Sequence, residues 1–359
     1  MPTTTGMKRG GYYNAHSDEQ RAALDAFLPW IENAVADLPI SSDSRATLGL
    51  LDLGSSEGGN AIHAMMRLID AIRRRTGAPL WIFFNDLPSN DFNQLFANLF
   101  PGGILAFLRA DIFPAAVGGS AFERIVPPRS LHIATTFNAI AFLEKRPPAE
   151  LPNYILPMDP GAPRAGVSVG EAAREPFRRQ AALDLRRFYA ARAEELVSGG
   201  KLLIEVFGRD GALSTSHGVY DVLSDALLDT VEAGRLPRKI YQDLIFPVYF
   251  RTLAELTAPL ESEADLAGRF RIEKTEAREI PAPFNLEREK TGDVAAWACS
   301  YAGFLRAFTE PILAAAIPAA LSESGMVQEI YRRVEQRLAA DPDRYAFHYI
   351  ALGVLLTRR

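Results

Sequence analysis

Apolar residues recur at helical spacing near the start of the chain and again in later stretches. Leu24, Phe27, Ile31, Val35 and Leu38 follow one another at intervals of three or four positions. Such intervals place the side chains on one face of a helix, which a proline as early as that at position 29 can kink or leave intact. The same pattern predicts further helices over residues 170–196, Val219–Leu227 and 297–320. Gly234 and Pro237 close the second of these.

Short apolar runs lie between these helical patterns and predict buried strands. In chain order the runs are "LGLLDLG", "PLWIFFND", "RSLHIATTF", "GGKLLIEVFG" and the C-terminal "AFHYIALGVLLTRR". Strands that alternate with helices favour a parallel sheet covered on both faces. We therefore predict an α/β fold, a Rossmann-like core with a mostly parallel central sheet that the last strand rejoins.

The strand signal fades after Ser216, which suggests a division of the chain into three parts. We expect a core over residues 1–210, a mainly helical cap over 211–325, and a C-terminal helix and strand over 326–359 that return to the core. Residues 144–176 contain seven prolines. A loop of that length in a compact domain is more often functional than accidental.

Composition removes several classes of function. The 359 residues are 48% hydrophobic, which is enough for a large core, and the net charge of −5 offers no basic face for nucleic acid. The single cysteine, Cys299, cannot form an internal disulfide, and the N-terminal residues lack the apolar run of a signal peptide. No segment approaches the roughly 18 consecutive apolar residues of a membrane span. We expect a cytoplasmic protein that binds neither membranes nor nucleic acids.

The turn after the first strand, "LLDLGSSEGGNA", has the position of a ligand-binding loop. Ligands of open parallel sheets bind beyond the carboxyl ends of the strands, where helix N-termini point into a crevice. Gly54, Gly58 and Gly59 do not match G-x-G-x-x-G, so the dinucleotide fingerprint is absent. A glycine-rich turn can equally be a tight connection.

The same turn contains a competing motif. Residues 54–58, "GSSEG", match the G-x-S-x-G nucleophile elbow of α/β-hydrolases, with Ser56 as nucleophile and His217 or His348 as the base. That fold places its elbow after several strands, whereas one strand precedes Ser56. The hydrolase remains an alternative at this point.

The second strand ends in two similar polar pairs, in "WIFFNDLPSNDFN". An acid at the carboxyl end of this strand can accept hydrogen bonds from both hydroxyls of a ribose, and Asp86 has that place. Asp91 stands three residues before Gln94 at the start of a helical pattern, which is typical of a helix cap. Asp86 could also merely cap a turn.

Together these segments resemble the SABATH family of S-adenosylmethionine-dependent methyltransferases, which act on salicylate, benzoate, jasmonate or theobromine-type substrates. "NDLPSNDFN" is the most specific element of the resemblance. The others, in order, are "MKRGGYYNAHSDEQ", "LLDLGSSEGGN", "GGSAFERIVPPRSLH", "YAARAEELVSGGKLLIEVFGR", "FPVYFRTLAEL" and "RAFTEPIL". They run nearly from end to end of the chain.

The resemblance implies S-adenosylmethionine as cofactor, S-adenosylhomocysteine as product and a homodimer. It places Asp86 on the ribose, with Leu87 beside the adenine. The other implied cofactor contacts are Tyr13, Ser17, Asp52, Gly54, Asn60, Ser120 and Ala121. At Ala121 the family has an aromatic residue, which predicts a looser adenine pocket.

The implied substrate residues depart further from the family. Lys8 and Gln20 match, Gln20 being the amide that binds the substrate carboxylate, although Ser17 to Gln20 is also a capping-box pattern. Asn138 and Phe142 stand where the family has Tyr and Trp, so an indole N–H donor is missing. Tyr249 is a further wall residue by resemblance, whereas core packing is the ordinary explanation of Phe304 and Phe308 at i and i+4.

Methyl transfer to a carboxylate needs no general base, because the acid is already ionised at neutral pH. This agrees with the five histidines, at positions 16, 63, 132, 217 and 348, which show neither metal spacing nor an evident acid partner. We therefore expect a carboxyl methyltransferase of a small acid with no catalytic base and no metal. A methyltransferase acting on nitrogen or another oxygen, the Ser56 hydrolase, and a cofactor-binding module without turnover stay open.

Overall fold

The computed structural model describes residues 6–40, 46–103, 107, 111–151, 153–164 and 167–359. Within these residues a seven-stranded sheet has the order β3-β2-β1-β4-β5-β9-β8, and β6 and β7 form a separate small hairpin. The strands are β1 (Leu48–Leu53), β2 (Leu80–Asp86), β3 (Ile112–Gly118), β4 (Leu131–Phe137), β5 (Leu196–Phe207), β6 (Arg209–Asp210), β7 (Leu213–Ser214), β8 (Phe270–Ile280) and β9 (Tyr349–Arg358).

Helices cover the sheet and build up the C-terminal half. They are α1 (Tyr12–Ala15), α2 (Asp18–Ala34), α3 (Gly59–Arg73), α4 (Phe92–Leu99), α5 (Glu171–Glu195), α6 (Val219–Glu232), α7 (Arg238–Asp243), α8 (Leu253–Ser262), α9 (Pro283–Thr291), α10 (Val294–Ala316), α11 (Ala319–Glu323) and α12 (Met326–Ala340). Helix α2 runs through Pro29 without a break. The predicted helices at 24–38, 170–196, 219–227 and 297–320 correspond to α2, α5, α6 and α10.

The pairing confirms the predicted mostly parallel sheet. Strands β1 to β5 pair in parallel, and β9 returns antiparallel between β5 and β8. Every residue of β1 is buried, as a strand with helices on both faces requires. The sheet order changes direction between β1 and β4, and this is the point where open α/β sheets bind their ligands.

The sequence did not predict two strands of the sheet. β3 contains Pro114, which cannot donate a ladder hydrogen bond and is confined to edge strands, where β3 lies. β8 reads "FRIEKTEAREI", a charged pattern that suits the opposite, solvent-facing edge. Because β8 lies inside residues 211–325, this part of the chain adds a strand to the central sheet as well as helices. The division into three parts stays a prediction.

Among the helices that the structure describes, none is both long enough and apolar enough to cross a bilayer.

Candidate functional site

A cavity of about 330 Å³ opens at the carboxyl ends of the parallel strands. The turns after β1, β2 and β4 contribute Gly54, Leu87 and Asn138 to its lining, and Phe207 at the end of β5 lines it as well. The cavity therefore lies at the switch point of the sheet, where backbone N–H groups and strand-end side chains converge.

The turn after β1 has a backbone that only certain residues adopt. Gly54 has a φ of 82°, and a Cβ there would lie 2.2 Å from that of Ala139, so no larger residue fits. The amides of Gly54 and Ser55 both donate to the carbonyl oxygen of Asn85 at 2.9 Å. These bonds tie the turn to the end of β2 and fix the edge of the cavity.

The Asp86 carboxylate lies at this edge with its orientation set by the backbone. Oδ2 accepts the N–H of Ser56 and Oδ1 that of Leu87, both at 2.7 Å. Desolvation raises the pKa of Asp86, and these two hydrogen bonds act against the rise. Each oxygen keeps lone-pair capacity for a further donor, and Asp86 lines the cavity, so the carboxylate suits a diol.

The second Asn-Asp pair has the capping role expected of it. Asp91 is the N-cap of α4 and accepts the N–H of Gln94 at 3.0 Å. The capping interpretation of Asp91 is confirmed, while the ribose role of Asp86 stays a prediction.

Other predicted cofactor residues also line the cavity. They are Tyr13, Gly54, Leu87, Ser120 and Ala121. The Ser120 hydroxyl donates to Glu144 at 3.1 Å, and Glu144 is in turn paired with Arg187. The predicted cofactor side of the site is thus assembled around one cavity.

Three predicted cofactor residues do not line the cavity. Asp52 is buried and accepts hydroxyl hydrogen bonds from Ser55 at 2.9 Å and Thr135 at 2.7 Å, and burial raises its pKa to about 6. Asn60 donates to the Ser17 hydroxyl at 3.4 Å. Asp52 and Ser17 thus have side-chain partners within the protein, whereas the buried Oδ1 of Asn60 has none among the described residues. The cofactor roles of these three residues stay predictions.

Gln20 is aimed into the cavity. Ser17 is the N-cap of α2 but makes no side-chain capping bond, which contradicts the capping-box alternative. Gln20 lines the cavity, is 8% exposed, and its Oε1 has no hydrogen-bond partner among the described residues. A buried amide oxygen without a partner marks a place where a ligand or water completes the site.

Two predicted substrate residues are absent from the lining. The Lys8 ammonium pairs with Glu310 at 2.7 Å and lies 4.4 Å from the centre of the Tyr12 ring. The Tyr249 hydroxyl donates to Glu255 at 3.0 Å. Each polar group has a charged partner in this structure, and Phe250 lines the cavity where Tyr249 does not. The substrate roles of Lys8 and Tyr249 stay predictions.

Aromatic rings form much of the wall, and apart from Phe142 the sequence did not single them out for the substrate side. Phe142 contacts Phe207, whose ring lies 5.0 Å from that of Phe250. Phe304 and Phe308 on α10 have ring centres 5.2 Å apart and both line the cavity. Core packing was the expected role of this last pair, and the wall is completed by Phe137, Tyr220, Phe347 and Tyr349.

Asn138 is held in an unusual conformation against Tyr349. With a φ of 65°, its Oδ1 accepts the N–H of Phe207 at 2.7 Å and its Nδ2 donates to the Tyr349 hydroxyl at 2.8 Å. Within the described residues the Tyr349 hydrogen has no acceptor. Burial raises the pKa of Tyr349, so the phenol stays protonated and can donate into the cavity.

The geometry does not support the hydrolase alternative. The Ser56 hydroxyl lines the cavity but has no hydrogen-bond partner among the described residues, so no imidazole there is placed to activate it. His348 instead bonds to Glu279 at 2.7 Å. The part of the chain that the structure describes also contains no cluster of residues suited to a metal ion.

Comparison with known proteins covers the whole chain. Residues 3–359 match the model of a family described as SAM dependent carboxyl methyltransferase. Gibberellic acid methyltransferase 2 of Arabidopsis thaliana is 26% identical over 95% of this chain and 92% of its own length. Probable jasmonic acid carboxyl methyltransferase 1 of Theobroma cacao is 27% identical over 76% of this chain and 77% of its own. Paraxanthine methyltransferase 2 of Arabidopsis thaliana is 31% identical over 74% and 77%.

A solved structure of loganic acid methyltransferase with SAH superposes on this chain with a TM-score of 0.79. The superposition covers 98% of each chain at 22% sequence identity. At that identity it establishes the shared fold.

Proposed function

The chain belongs to the family of S-adenosylmethionine-dependent carboxyl methyltransferases, and we propose that it esterifies an apolar acid whose carboxylate is held by Gln20 and Tyr349. The observation that carries this proposal is that the buried Gln20 amide and the Tyr349 phenol line the same cavity. The Nε2–H of Gln20 and the O–H of Tyr349 are donors that a carboxylate, which only accepts hydrogen bonds, can use. The free hydrogen of Tyr349 lines the same cavity.

The residues present fit the cofactor. Asp86 offers lone pairs to a ribose diol, and the Ser56 hydroxyl is buried at the cavity without a partner of its own. When bound, S-adenosylmethionine supplies an electrophilic methyl carbon on a cationic sulfur and leaves as S-adenosylhomocysteine. We assign Asp86 to the ribose, Leu87 and Ala121 to the adenine side, and Tyr13, Ser56 and Ser120 to the remaining polar contacts.

The substrate side of the cavity compensates for a lost donor. Phe142 provides packing without an N–H, whereas the Asn138 amide fixes the Tyr349 hydroxyl, whose hydrogen can take the place of the indole donor. A carboxylate loses hydration on entering a buried site, and hydrogen bonds from Gln20 and Tyr349 offset that cost. Asn138 therefore acts through Tyr349.

Methyl transfer requires the protein to position the two reactants and to exclude water. A carboxylate is ionised at neutral pH, so no group has to remove a proton. The residues must hold one oxygen about 3 Å from the methyl carbon and in line with the sulfur. The rings of Phe207, Phe250, Phe304 and Phe308 exclude water and match an acid with an apolar body. Gibberellic and jasmonic acids, which the names of relatives specify, are acids of this class.

The test is a methyl-transfer assay with S-adenosylmethionine labelled in the methyl group. The acceptors are gibberellic acid, jasmonic acid and benzoic acid, with paraxanthine as the non-carboxylate comparison. We expect label in organic-extractable products of at least one acid, and we expect mild alkali to release it as methanol because esters hydrolyse. Alkali-stable label, or transfer to paraxanthine alone, would contradict the proposal.

We also propose an assembly and a location for the protein. The homodimer rests on the family resemblance, and a cytoplasmic location on the single, exposed Cys299. Light scattering of the purified protein tests the first, with about twice the 39.4 kDa chain mass expected.

A further inference from the structure

Glu205, in the middle of β5, is a buried carboxyl without a partner. Its side chain is 0% exposed, and neither Oε1 nor Oε2 has a hydrogen-bond partner among the described residues. A buried polar atom without a partner is costly, so native proteins keep few of them. The mechanism proposed above does not use Glu205, and its position calls for a physical reason.

Strand register places Glu205 next to the floor of the cavity. Its direct neighbours are Phe137 on β4 and Gly353 on β9. Alternation along β5 puts Phe207 on the same face, and both phenylalanines line the cavity. The Glu205 side chain therefore lies one step along the strand beneath the rings that form the floor.

Helix α2, which carries Gln20, covers this face of the sheet. A Cβ at Gly353 would lie 2.1 Å from the ring of Phe27, so the helix packs directly against the backbone opposite Glu205. Glu205 is thus enclosed between the sheet and the helix that presents the substrate amide.

The charge state of Glu205 acts on two cavity residues. Burial is the main cause of the raised pKa values of Tyr13 and Tyr349, and the charge of Glu205 raises both further. Both tyrosines line the cavity. A negative charge on Glu205 therefore changes the electrostatic potential in the part of the cavity where the sulfonium and the acid would meet.

We propose that Glu205 is an electrostatic positioning residue for methyl transfer: its neutral carboxyl admits an anionic acid beside the cationic sulfonium, and its ionised form disfavours that acid. The proposal rests on the proposed function. A carboxylate beneath the floor would repel the incoming acid and would stabilise the cationic ground state, whose charge disappears during transfer.

Burial raises the pKa of Glu205 to about 8, so the neutral form prevails at pH 7. The titratable groups around it are Tyr13 on α1, Glu19 on α2 and Tyr349 on β9. The tyrosines stay neutral, and burial raises the pKa of Glu19 to about 7. Lys201, on the same strand, donates to Thr357 instead, at 2.8 Å.

The test uses two defined probes, S-adenosylmethionine and S-adenosylhomocysteine, which differ in the sulfonium methyl and its charge. Calorimetry gives both dissociation constants at pH 7 and pH 9 for the wild type and for Glu205→Gln, the isosteric neutral form. Glu19→Gln is the matched control for the second buried carboxyl. The constants are corrected for the ionisation of the α-amino group of each free probe, because the sulfonium lowers the pKa of that group in S-adenosylmethionine.

We expect the preference for the cationic probe to rise about fivefold or more from pH 7 to pH 9 in the wild type and in Glu19→Gln. In Glu205→Gln the preference should stay within about twofold, because no charge develops beneath the floor. A constant preference in the wild type, or an equal rise in Glu205→Gln, would overturn the role of Glu205 while leaving the proposed function intact. Failure of the wild type to bind either probe would instead overturn the proposed function, and this inference with it.

Discussion

The sequence around Gln20 fits both a helix-capping box and a ligand contact, but the side chain can adopt only one of these positions. Its spacing from Ser17 fits a capping box, yet Ser17 makes no side-chain capping bond and the amide lies at the cavity wall. A helix N-terminus exposed to a cavity can leave its capping to other groups or to water. The amide is then available to a ligand.

Replacing Gln20 by Ala should weaken acid methylation while leaving cofactor affinity nearly unchanged. Loss of one hydrogen bond to a charged group costs about 1.5–3 kcal/mol, which corresponds to a roughly 10- to 100-fold lower kcat/KM for the acid. Steady-state kinetics with the best acid of the panel gives this ratio, and calorimetry with S-adenosylhomocysteine gives the cofactor affinity.

Gln328→Ala, on the exposed face of α12, is the matched control and should match the wild type in both measurements. An equal loss of acid turnover and cofactor affinity in Gln20→Ala would instead indicate that the amide serves the fold of the N-terminal segment.

The site residues differ in how far the sequence could predict them. Asp86 is the last residue of a strand, and Gly54 and Leu87 directly follow strands, so the strand ends fix where these residues lie. Lys8 and Tyr249 are absent from the cavity lining, and the Lys8 ammonium pairs with the distant Glu310 and the Tyr249 hydroxyl with Glu255, six residues along the chain. Their substrate roles stay predictions.

Apart from Phe142, the aromatic residues of the cavity wall could not be predicted as site residues from the sequence. A phenylalanine that lines a cavity and one that fills a core obey the same helical spacing, as Phe304 and Phe308 on α10 do. Phe207 offered a usable signal, since it ends a strand that was predicted correctly.

At the scale of elements, α5 holds the loop that bears Ser120 and Ala121. Arg192, fully buried, donates to the carbonyl oxygens of Ala121 and Glu123, each at 2.8 Å. It also pairs with Glu195 at 2.6 Å, whose other oxygen accepts the N–H of Val126 at 3.1 Å. One ion pair on the helix thus fixes both ends of the loop.

Arg192→Met should therefore destabilise the protein strongly. Removing one partner of a buried pair costs about 3–5 kcal/mol, because Glu195 stays buried and loses its counter-charge. Urea unfolding measures the change. The control is Arg186→Met, on the same helix as Arg192. It removes an exposed ion pair with Asp265 and should cost less than about 1 kcal/mol. Equal costs for the two variants would contradict the anchoring role.

The strands and helices were predicted where one physical pattern dominated. The buried parallel strands β1, β2, β4 and β5 follow from apolar runs, whereas β3 and β8 are edge strands with a proline or with charges. An edge strand must avoid pairing with a further strand, and prolines or charges prevent this. Such a strand therefore lacks the apolar run by which a buried strand is recognised in the sequence.

At the scale of the whole molecule, several acids are buried without a matching cation. Burial raises the pKa of Asp52 to about 6, of Glu19 to about 7 and of Glu205 to about 8. A folded-state pKa above the unfolded value stabilises the fold below the unfolded pKa, and this contribution is lost as pH rises through the folded pKa.

The pKa of Glu205 is raised from its ordinary value of 4.5 to about 8. The stabilising contribution of this carboxyl is therefore lost as the pH rises between these two values. The free energy of unfolding of Glu205→Gln, relative to the wild type, should therefore increase over this range by on the order of a few kcal/mol. Urea unfolding at pH 5, 7 and 8.5 measures the difference. A difference that is independent of pH would show that the Glu205 carboxyl titrates as in the unfolded chain.

We assign Asp86 to the ribose diol of S-adenosylmethionine in the cavity at the sheet switch point. Titration calorimetry of S-adenosylhomocysteine into the wild type and into Asp86→Ala, with thermal unfolding confirming that the variant is folded, tests it most directly. Two hydrogen bonds to a carboxylate predict at least about a hundredfold weaker binding in the variant. A folded Asp86→Ala protein that binds S-adenosylhomocysteine as tightly as the wild type would contradict the account.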